Sequence, residues 1–193
     1  KEQFSEVEFV PTIRTNEKLF KKPYPTISAI IDCLKMRKEE KFLLINSDIV
    51  IYDSWKIQDD LCEKANDGVV VMARYNYEIE YKFGSRNDGG FDAFWIHKKF
   101  LDIFPQTVLC LGQCFWDYWF PYQCVLNKVK IYNVPKAYIF HKNHETQWSE
   151  SNYKATANIF RAELSVIDPT IKTSMTDSQV STQVYYKITE NLL

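Results

Sequence analysis

Apolar residues recur along the chain with two spacings, one typical of helices and one typical of buried strands. After Thr26 they fall at Ile27, Ile30, Ile31 and Leu34, which is the i, i+3, i+4, i+7 pattern of an amphipathic helix. The same reasoning predicts helices over residues 55–65 and 151–164, a short helix that ends before Pro105, and a tail helix after residue 182. The sequence therefore predicts several helices, each with one apolar face directed at a core.

Runs of consecutive apolar residues predict short strands that are buried on both faces. They occupy residues 42–45, 69–73, 91–96, 130–133 and 137–141, and a weaker alternation covers residues 6–10. Because helices alternate with these strands, we expect an α/β fold with a mostly parallel central sheet flanked by helices. Pro121 lies in the aromatic segment 115–122, and in a continuous helix its ring would clash with the carbonyl of Asp117. We expect a break or kink at this proline.

The length of 193 residues suits one compact domain with a short appendage. We expect residues 1–165 to form the main domain. Pro169 and a Ser/Thr-rich run then predict a linker, so that residues 166–193 form a linker and a tail helix that lead to a further domain of a larger polypeptide.

Composition restricts the classes of partner that the protein can bind and indicates the cellular compartment. The formal net charge of −1 gives no basic surface for nucleic acid, and no apolar stretch is long enough to span a membrane. The five cysteines are odd in number and several lie in apolar segments, which favours buried free thiols in a reducing, cytoplasmic compartment. Aromatic residues make up 16% of the chain, so we expect either a dense aromatic core or a site that stacks on a ring.

A polar triplet, Asn46-Ser47-Asp48, interrupts the apolar run between Phe42 and Ile51. At the two-residue period of a strand, Asn46 and Asp48 point to the same side, where two oxygen-bearing side chains can hold a hard divalent cation or the hydroxyls of a ribose. The alternative is a turn, because Asn, Ser and Asp are also turn formers. Since Ile49 resumes the apolar pattern at once, we favour a ligand role at the carboxyl end of a strand.

The ordered segments FLLINSDI, VVVMARY, GGFDAFWIHKKFL, LGQCFWDYWFPY and AYIFHKNHETQW resemble glycosyltransferases of the GT-A fold. The closest resemblance is to small transferase-like proteins of bacteria and large DNA viruses, and it covers roughly residues 6 to 150. It implies a GT-A-like catalytic domain over residues 1–165. The implied reaction moves a sugar from a UDP- or GDP-sugar donor to a hydroxyl of a glycan or another acceptor. In that family a D-x-D motif binds a metal on the donor diphosphate; here Asn46 replaces the first carboxylate.

The resemblance also implies the metal and the catalytic base. Asp48 would be the direct ligand of Mn²⁺ or Mg²⁺, and His141, which closes an apolar strand, would be a further ligand that favours Mn²⁺. Asn46 would hold a metal-bound water or the ribose. Asp117, an acid within the aromatic segment, would be the general base that deprotonates the acceptor hydroxyl. The alternatives are a hydrogen-bonded histidine at a strand end and a structural acid in an aromatic core.

The remaining site residues also follow from the resemblance. Asp92, after Gly89-Gly90-Phe91, would hold hydroxyls of the donor sugar or of the acceptor, and Arg74 would reach the diphosphate. Thr12 and Arg14 would hold the nucleotide base and ribose. Asp92 and Arg74 each have a structural alternative: Asp92 can be a carboxylate that caps a turn, and Arg74 can form an ordinary salt bridge.

Two aromatic interpretations and two functional alternatives stay open. Trp116, Trp119 and Tyr122 can stack on a sugar ring or simply pack a core.

The chain can also be a non-catalytic carbohydrate-binding or assembly domain with a degenerate transferase fold. A nucleotidyltransferase is a further alternative, although no glycine-rich phosphate-binding signature follows the first predicted strand. A binding domain would tolerate Asp48→Ala, whereas a metal-dependent transferase would lose donor turnover.

Overall fold

The computed structural model describes residues 14–51, 55–77, 90–134, 139–142 and 149–193, with the side chains of residues 55–58 left out. Thr12 and the predicted strand over residues 6–10 lie outside these ranges, as do the first residues of the strand predicted over 137–141.

The described residues form six α-helices, one 3₁₀ helix and seven strands. The helices are α1 (Glu17–Phe20), α2 (Ile27–Met36), α3 (Trp55–Ala65), α4 (Trp116–Leu126), α5 (Glu150–Ile167) and α6 (Asp177–Thr189), and the 3₁₀ helix spans Lys98–Ile103. The strands are β1 (Lys41–Ile45), β2 (Ile49–Ile51), β3 (Gly68–Met72), β4 (Tyr75–Tyr77), β5 (Ala93–His97), β6 (Lys130–Asn133) and β7 (Ile139–Lys142). Helices and strands are interspersed along the chain, so the predicted α/β class is confirmed.

Local sequence explains where several helices begin. The side chain of Thr26 accepts a hydrogen bond from the Ala29 N–H at the start of α2. At α6, Thr176 and Gln179 form a reciprocal capping box, in which each side chain accepts from the backbone N–H of the other residue. These bonds satisfy N–H groups that have no partner within the helix.

The strands form two mixed sheets, so the prediction of a mostly parallel sheet is wrong. The larger sheet has the order β1-β5-β3-β6, in which β5 runs antiparallel to both of its neighbours and β6 runs parallel to β3. The smaller sheet has the order β2-β7-β4, with one antiparallel and one parallel pairing. The error has a physical reason: an uninterrupted apolar run shows that a strand is covered on both faces, but it carries no information about direction.

Both faces of the larger sheet are covered, as the alternation along β3 demonstrates. Val69 and Val71 point into the main hydrophobic core, which is built with α2, α4, α5 and α6. Val70 and Met72 point the other way, into a smaller cluster with Leu61 of α3. This two-residue alternation is the side-chain period of a strand. The apolar run therefore predicted burial correctly for this strand.

The aromatic segment forms the centre of the main core. Trp116, Trp119 and Tyr122 are at most 2% exposed, and the rings of Phe94 and Phe120 pack with centroids 4.7 Å apart. Trp119 and Tyr122 therefore pack the core, whereas Trp116 packs there and also lines the cleft described below, so a stacking role for Trp116 stays a prediction. They are buried because α4 packs this face against the sheet and against α6.

Helix α4 also continues through Pro121, so the predicted break does not occur. A proline has no N–H to donate to the carbonyl four residues earlier, which here belongs to Asp117. The dense packing of α4 compensates for this missing bond. The tertiary core thus overrides a local preference.

A tail helix, α6, forms and packs onto the rest of the fold, but it begins at Asp177 and not after residue 182, so the end of the Ser/Thr-rich run that was predicted as a linker is helical. It contributes Val180, Val184 and Ile188 to the main core. Beside them the buried Asp168 carboxylate accepts hydrogen bonds from Tyr122 and, at 2.8 Å, from Lys187. The division at residue 165 and the further domain stay predictions. Within the described ranges, no helix combines the length and the apolar character needed to cross a lipid bilayer.

Candidate functional site

A cleft of about 910 Å³ opens at one edge of the larger sheet. Six of the residues predicted for the site line it: Asn46, Asp48, Arg74, Asp92, Asp117 and His141. They come from five separate parts of the chain, and the fold alone brings them together.

The strand register explains this convergence. Ile45, the last residue of β1, pairs with Ala93, the first residue of β5, and Ala93 also pairs with Met72 at the end of β3. The carboxyl ends of β1 and β3 therefore meet the amino end of β5 at one edge. Asn46 leaves β1 there, and Asp92 enters β5 there. Because β5 runs antiparallel to β1 and β3, Asp92 reaches the site as the residue before a strand, whereas Asn46 reaches it as the residue after one.

The polar triplet forms a turn between β1 and β2 instead of continuing a strand. Residues 47 and 48 are in the turn, and the N–H of Ile49 donates to the carbonyl of Asn46 at 3.3 Å. The turn interpretation was thus right about backbone structure, and the strand-period argument was wrong. Both Asn46 and Asp48 nevertheless line the cleft. The apolar residues that follow the turn are not fully buried, since Val50 is 53% exposed.

Asp48 and His141 form a close pair on the cleft wall. Ile49 pairs with His141 in the β2–β7 ladder, which brings the neighbouring Asp48 within reach, and Oδ2 of Asp48 lies 3.2 Å from Nε2 of His141. The histidine is buried, whereas the aspartate side chain is 45% exposed towards the cleft. The pair thus offers one carboxylate oxygen and one imidazole nitrogen side by side.

These two atoms fit adjacent positions around a divalent metal. Ligands at right angles, each about 2.1 Å from an octahedral metal, are about 3 Å apart, close to the observed separation. The donor set of one oxygen and one imidazole nitrogen suits Mn²⁺ better than Mg²⁺. Among the residues that the structure describes, no third His, Cys, Asp or Glu joins them to make a cluster. A metal held here would need further ligands from water or from a bound substrate.

Arg74 and Asp92 form a second, more deeply placed pair. Nη1 of Arg74 donates to Oδ1 of Asp92 at 2.6 Å, and its Nε donates to Oδ1 of Asn76 at 3.0 Å. Asp92 is 5% exposed, and its second oxygen, Oδ2, is buried without a hydrogen-bond partner among the described residues. Burial raises the pKa of the Asp92 carboxyl, and the charge of Arg74 partly offsets this rise. The salt bridge predicted as an alternative exists, and it lies within the cleft.

Asp117 occupies the first turn of α4, with its side chain half-buried in the cleft wall. Burial raises its pKa to about 7, and the nearby Asp92 carboxylate adds to the rise. The Phe91 backbone N–H and the charge of Arg74 act in the opposite direction. Gly90 makes room for the carboxylate: a Cβ at this position would lie 2.6 Å from Oδ2 of Asp117. The site therefore holds a carboxyl group that changes charge near neutral pH.

Two predicted residues are not brought into this group. Arg14 is absent from the described lining of the cleft, because its guanidinium is paired with Asp32 and donates to Oε1 of Gln106 at 2.9 Å. Its assignment to the nucleotide therefore has no support from its position. Thr12 lies outside the described residues.

Sequence reasoning missed other lining residues. Gln113 precedes α4, Tyr153 belongs to α5 and Ser181 belongs to α6, and all three line the cleft. A signal existed for Gln113, because this uncharged polar residue interrupts an apolar segment just as Asn46-Ser47-Asp48 does. No such signal marked Tyr153 or Ser181, whose positions depend on how the last two helices pack.

Comparison of the chain with protein-family models, with curated proteins and with solved structures yields no match. The structure itself defines the class: an α/β protein with mixed sheets and an acid-rich cleft at the sheet edge.

Proposed function

We propose that the protein is a metal-dependent glycosyltransferase with a GT-A-like fold, which moves a sugar from a nucleotide-sugar to a hydroxyl acceptor. One observation carries the proposal: the Asp48–His141 pair and the carboxyl of Asp117, whose pKa is raised to about 7, share one cleft. This combination supplies a metal-ligand pair and a proton acceptor, the two functions that such a transfer requires.

The charges in the cleft support a requirement for a cation. Asp48, Asp92 and Asp117 provide three carboxyl groups there, and Arg74, already paired with Asp92, is the one arginine or lysine among the described lining residues. A diphosphate would be repelled by this acidic lining unless a divalent ion accompanied it. Asp48 and His141 would hold that ion, which when bound neutralises charge on the departing diphosphate.

The buried acceptor atoms support a ligand with hydroxyl groups. Oδ1 of Asn46 and Oδ2 of Asp92 are both buried and have no hydrogen-bond partner among the described residues. Leaving a buried acceptor unpaired costs about 1–3 kcal/mol, so such atoms at a cleft are suited to accept from a ligand. Sugar or ribose hydroxyls provide the donors. In this arrangement Arg74 holds the Asp92 carboxylate in place.

Asp117 would act as the general base. A base must be unprotonated to accept the proton of the acceptor hydroxyl, and a pKa near the working pH allows both charge states. With a pKa of about 7, the carboxyl becomes fully competent only above neutral pH. We therefore expect turnover to rise with pH through about 7 and to reach a plateau above it.

Donor binding tests the proposal directly. We expect UDP or GDP with Mn²⁺ to raise the melting temperature of the wild-type protein, because a ligand that binds the folded state stabilises it by mass action. Asp48→Asn should abolish the Mn²⁺-dependent part of this rise. Asp102→Asn is the matched control, since the Asp102 side chain is 89% exposed and pairs with Lys35. Absence of stabilisation by every nucleoside diphosphate, with or without metal, would refute the proposal.

Release of nucleoside diphosphate from UDP- and GDP-sugars, with water as the acceptor, separates catalysis from binding. Asp117→Asn should keep metal-dependent donor binding and lower the rate of release at least about a hundredfold, the lower range for general-base catalysis. If the wild-type protein binds a donor yet releases nothing with any acceptor supplied, the domain is a binding module.

A further inference from the structure

We propose that Gln113 is a further recognition residue of the cleft, whose Oε1 accepts a hydrogen bond from a ligand hydroxyl. The side chain is 5% exposed and lines the cleft, and its Oε1 is buried without a hydrogen-bond partner among the described residues. The inference rests on the proposed function and goes beyond it, because it names a determinant of the substrate class.

The orientation of the amide is fixed by its other end. Nε2 of Gln113 donates to the backbone carbonyl of Gly112 at 3.2 Å. Rotating the amide by half a turn would place two acceptor oxygens against each other, which is unfavourable. Oε1 is therefore the atom left for a ligand. The loop that carries Gln113 is set by Gly112, whose φ of +77° is readily adopted only by glycine.

A purely structural role would not account for the unpaired oxygen. Nε2 has a partner in the Gly112 carbonyl, whereas Oε1 is buried without one among the described residues, which is unfavourable in the free protein. A methionine of similar length would fill the same space without that cost. A buried acceptor retained at the wall of a cleft is the pattern expected of a group that is paired only when a ligand is present.

Gln113 joins two other buried acceptors whose side chains line the cleft. Its Oε1, Oδ1 of Asn46 and Oδ2 of Asp92 are all acceptor atoms, all buried, and all without a partner among the described residues, and their side chains line the same cleft. Acceptors select donors, so these three atoms favour a ring with several free hydroxyls over one whose hydroxyls are removed, acylated or methylated. The chemistry is that of an unmodified sugar, and it fits a donor sugar or an acceptor sugar equally.

Isothermal titration with Gln113→Met distinguishes these two sources. In the donor arm, UDP, UDP-glucose, UDP-galactose, GDP and GDP-mannose are titrated with Mn²⁺ into wild-type and variant protein. In the acceptor arm, methyl glycosides of glucose, galactose and mannose are titrated into the protein saturated with Mn²⁺ and the nucleoside diphosphate that binds. Gln123→Met is the matched control: Gln123 is also buried and its Nε2 has no hydrogen-bond partner among the described residues, but it lies on α4 and is absent from the described lining of the cleft.

We expect Gln113→Met to weaken binding of the sugar-bearing probe about five- to tenfold in one arm, the effect of one neutral hydrogen bond, while the affinity for the nucleoside diphosphate alone is unchanged. The melting temperature of the free variant should equal or exceed that of the wild type. Gln123→Met should leave all affinities unchanged. Unchanged sugar affinity in both arms, or a lower melting temperature as the only effect, would overturn the inference while the proposed function stands. Failure of the wild type to bind any nucleoside diphosphate would instead overturn the proposed function.

Discussion

Asp117 should make the stability of the protein depend on pH in a way that Asp117→Asn removes. The carboxyl has a pKa of about 7 in the folded protein and an ordinary value of 3.8. Between these two values the folded state holds a proton that the unfolded chain has lost. Stability therefore falls as the pH rises through this window, and the full loss is present above pH 7.

The magnitude follows from the gap between the two pKa values. A gap of about three pH units corresponds to about 4 kcal/mol at 1.36 kcal/mol per unit. Because the carboxylate is half-buried and faces a cleft, water screens part of this cost, and we expect roughly 2–3 kcal/mol. Asn keeps an oxygen that can accept from the Phe91 N–H and never ionises. About two of these three units lie above pH 5, so the variant should gain about 1–2 kcal/mol in stability relative to the wild type between about pH 5 and about pH 8.5.

Urea unfolding of both proteins at the two pH values measures this difference. Subtracting the free energy of unfolding of the wild type from that of the variant at each pH removes most contributions of other titrating groups. One of these is Glu163, whose pKa is raised by burial. Asp102→Asn controls for the loss of a surface charge and should show no pH-dependent difference. If Asp117→Asn and the wild type lose stability in parallel between the two pH values, the carboxyl is already ionised in the folded protein, and the argument for a neutral-pH base fails.

Three further substitutions test the packing that supports the site. Gly90→Ala would place a methyl group 2.6 Å from Oδ2 of Asp117, so we expect the carboxylate to move and donor turnover to fall at least about tenfold, with a melting temperature close to that of the wild type. Gly68→Ala would place a Cβ 2.3 Å from a backbone carbonyl of β6 and should cost about 2–3 kcal/mol in urea unfolding; a neutral result would show that the β3–β6 pair can relax. Lys187→Met should cost about 3 kcal/mol by the same assay, because it leaves the buried Asp168 without its cation; a cost below about 1 kcal/mol would count against this view.

Much of the local structure could be predicted because its causes are local. The apolar spacing after Thr26 predicted α2, and the side chain of Thr26 caps that helix. The uninterrupted run over residues 69–73 predicted a strand buried on both faces, and Val69 to Met72 do fill two cores. Asn46-Ser47-Asp48 indicated a polar interruption at the end of a strand, and both its outer residues line the cleft. In each case the residue type and its spacing act over a few residues.

The same sequence signals carried no information about the direction of a strand or about how deeply a side chain is buried. Nothing in the composition of β5 reveals that it runs antiparallel between β1 and β3, because a central strand has the same apolar character in either direction. Pro121 predicted a break from its own geometry, but the packing of α4 in the core outweighs that preference. The aromatic rings of Trp116 and Trp119 are equally suited to a core or to a ligand, and only their packing places them inside.

The chain by itself determined the α/β class, most helices and strands, and the residue types of the cleft, since these follow from propensity and from side-chain chemistry. Tertiary structure alone decided that Ile45, Ala93 and Met72 stand side by side, and hence that Asn46 and Asp92 share one cleft. It likewise decided that Arg14 lies apart from them while Gln113, Tyr153 and Ser181 join them. Contacts between residues far apart in sequence depend on the register of strands and the packing of helices, and local patterns do not encode either.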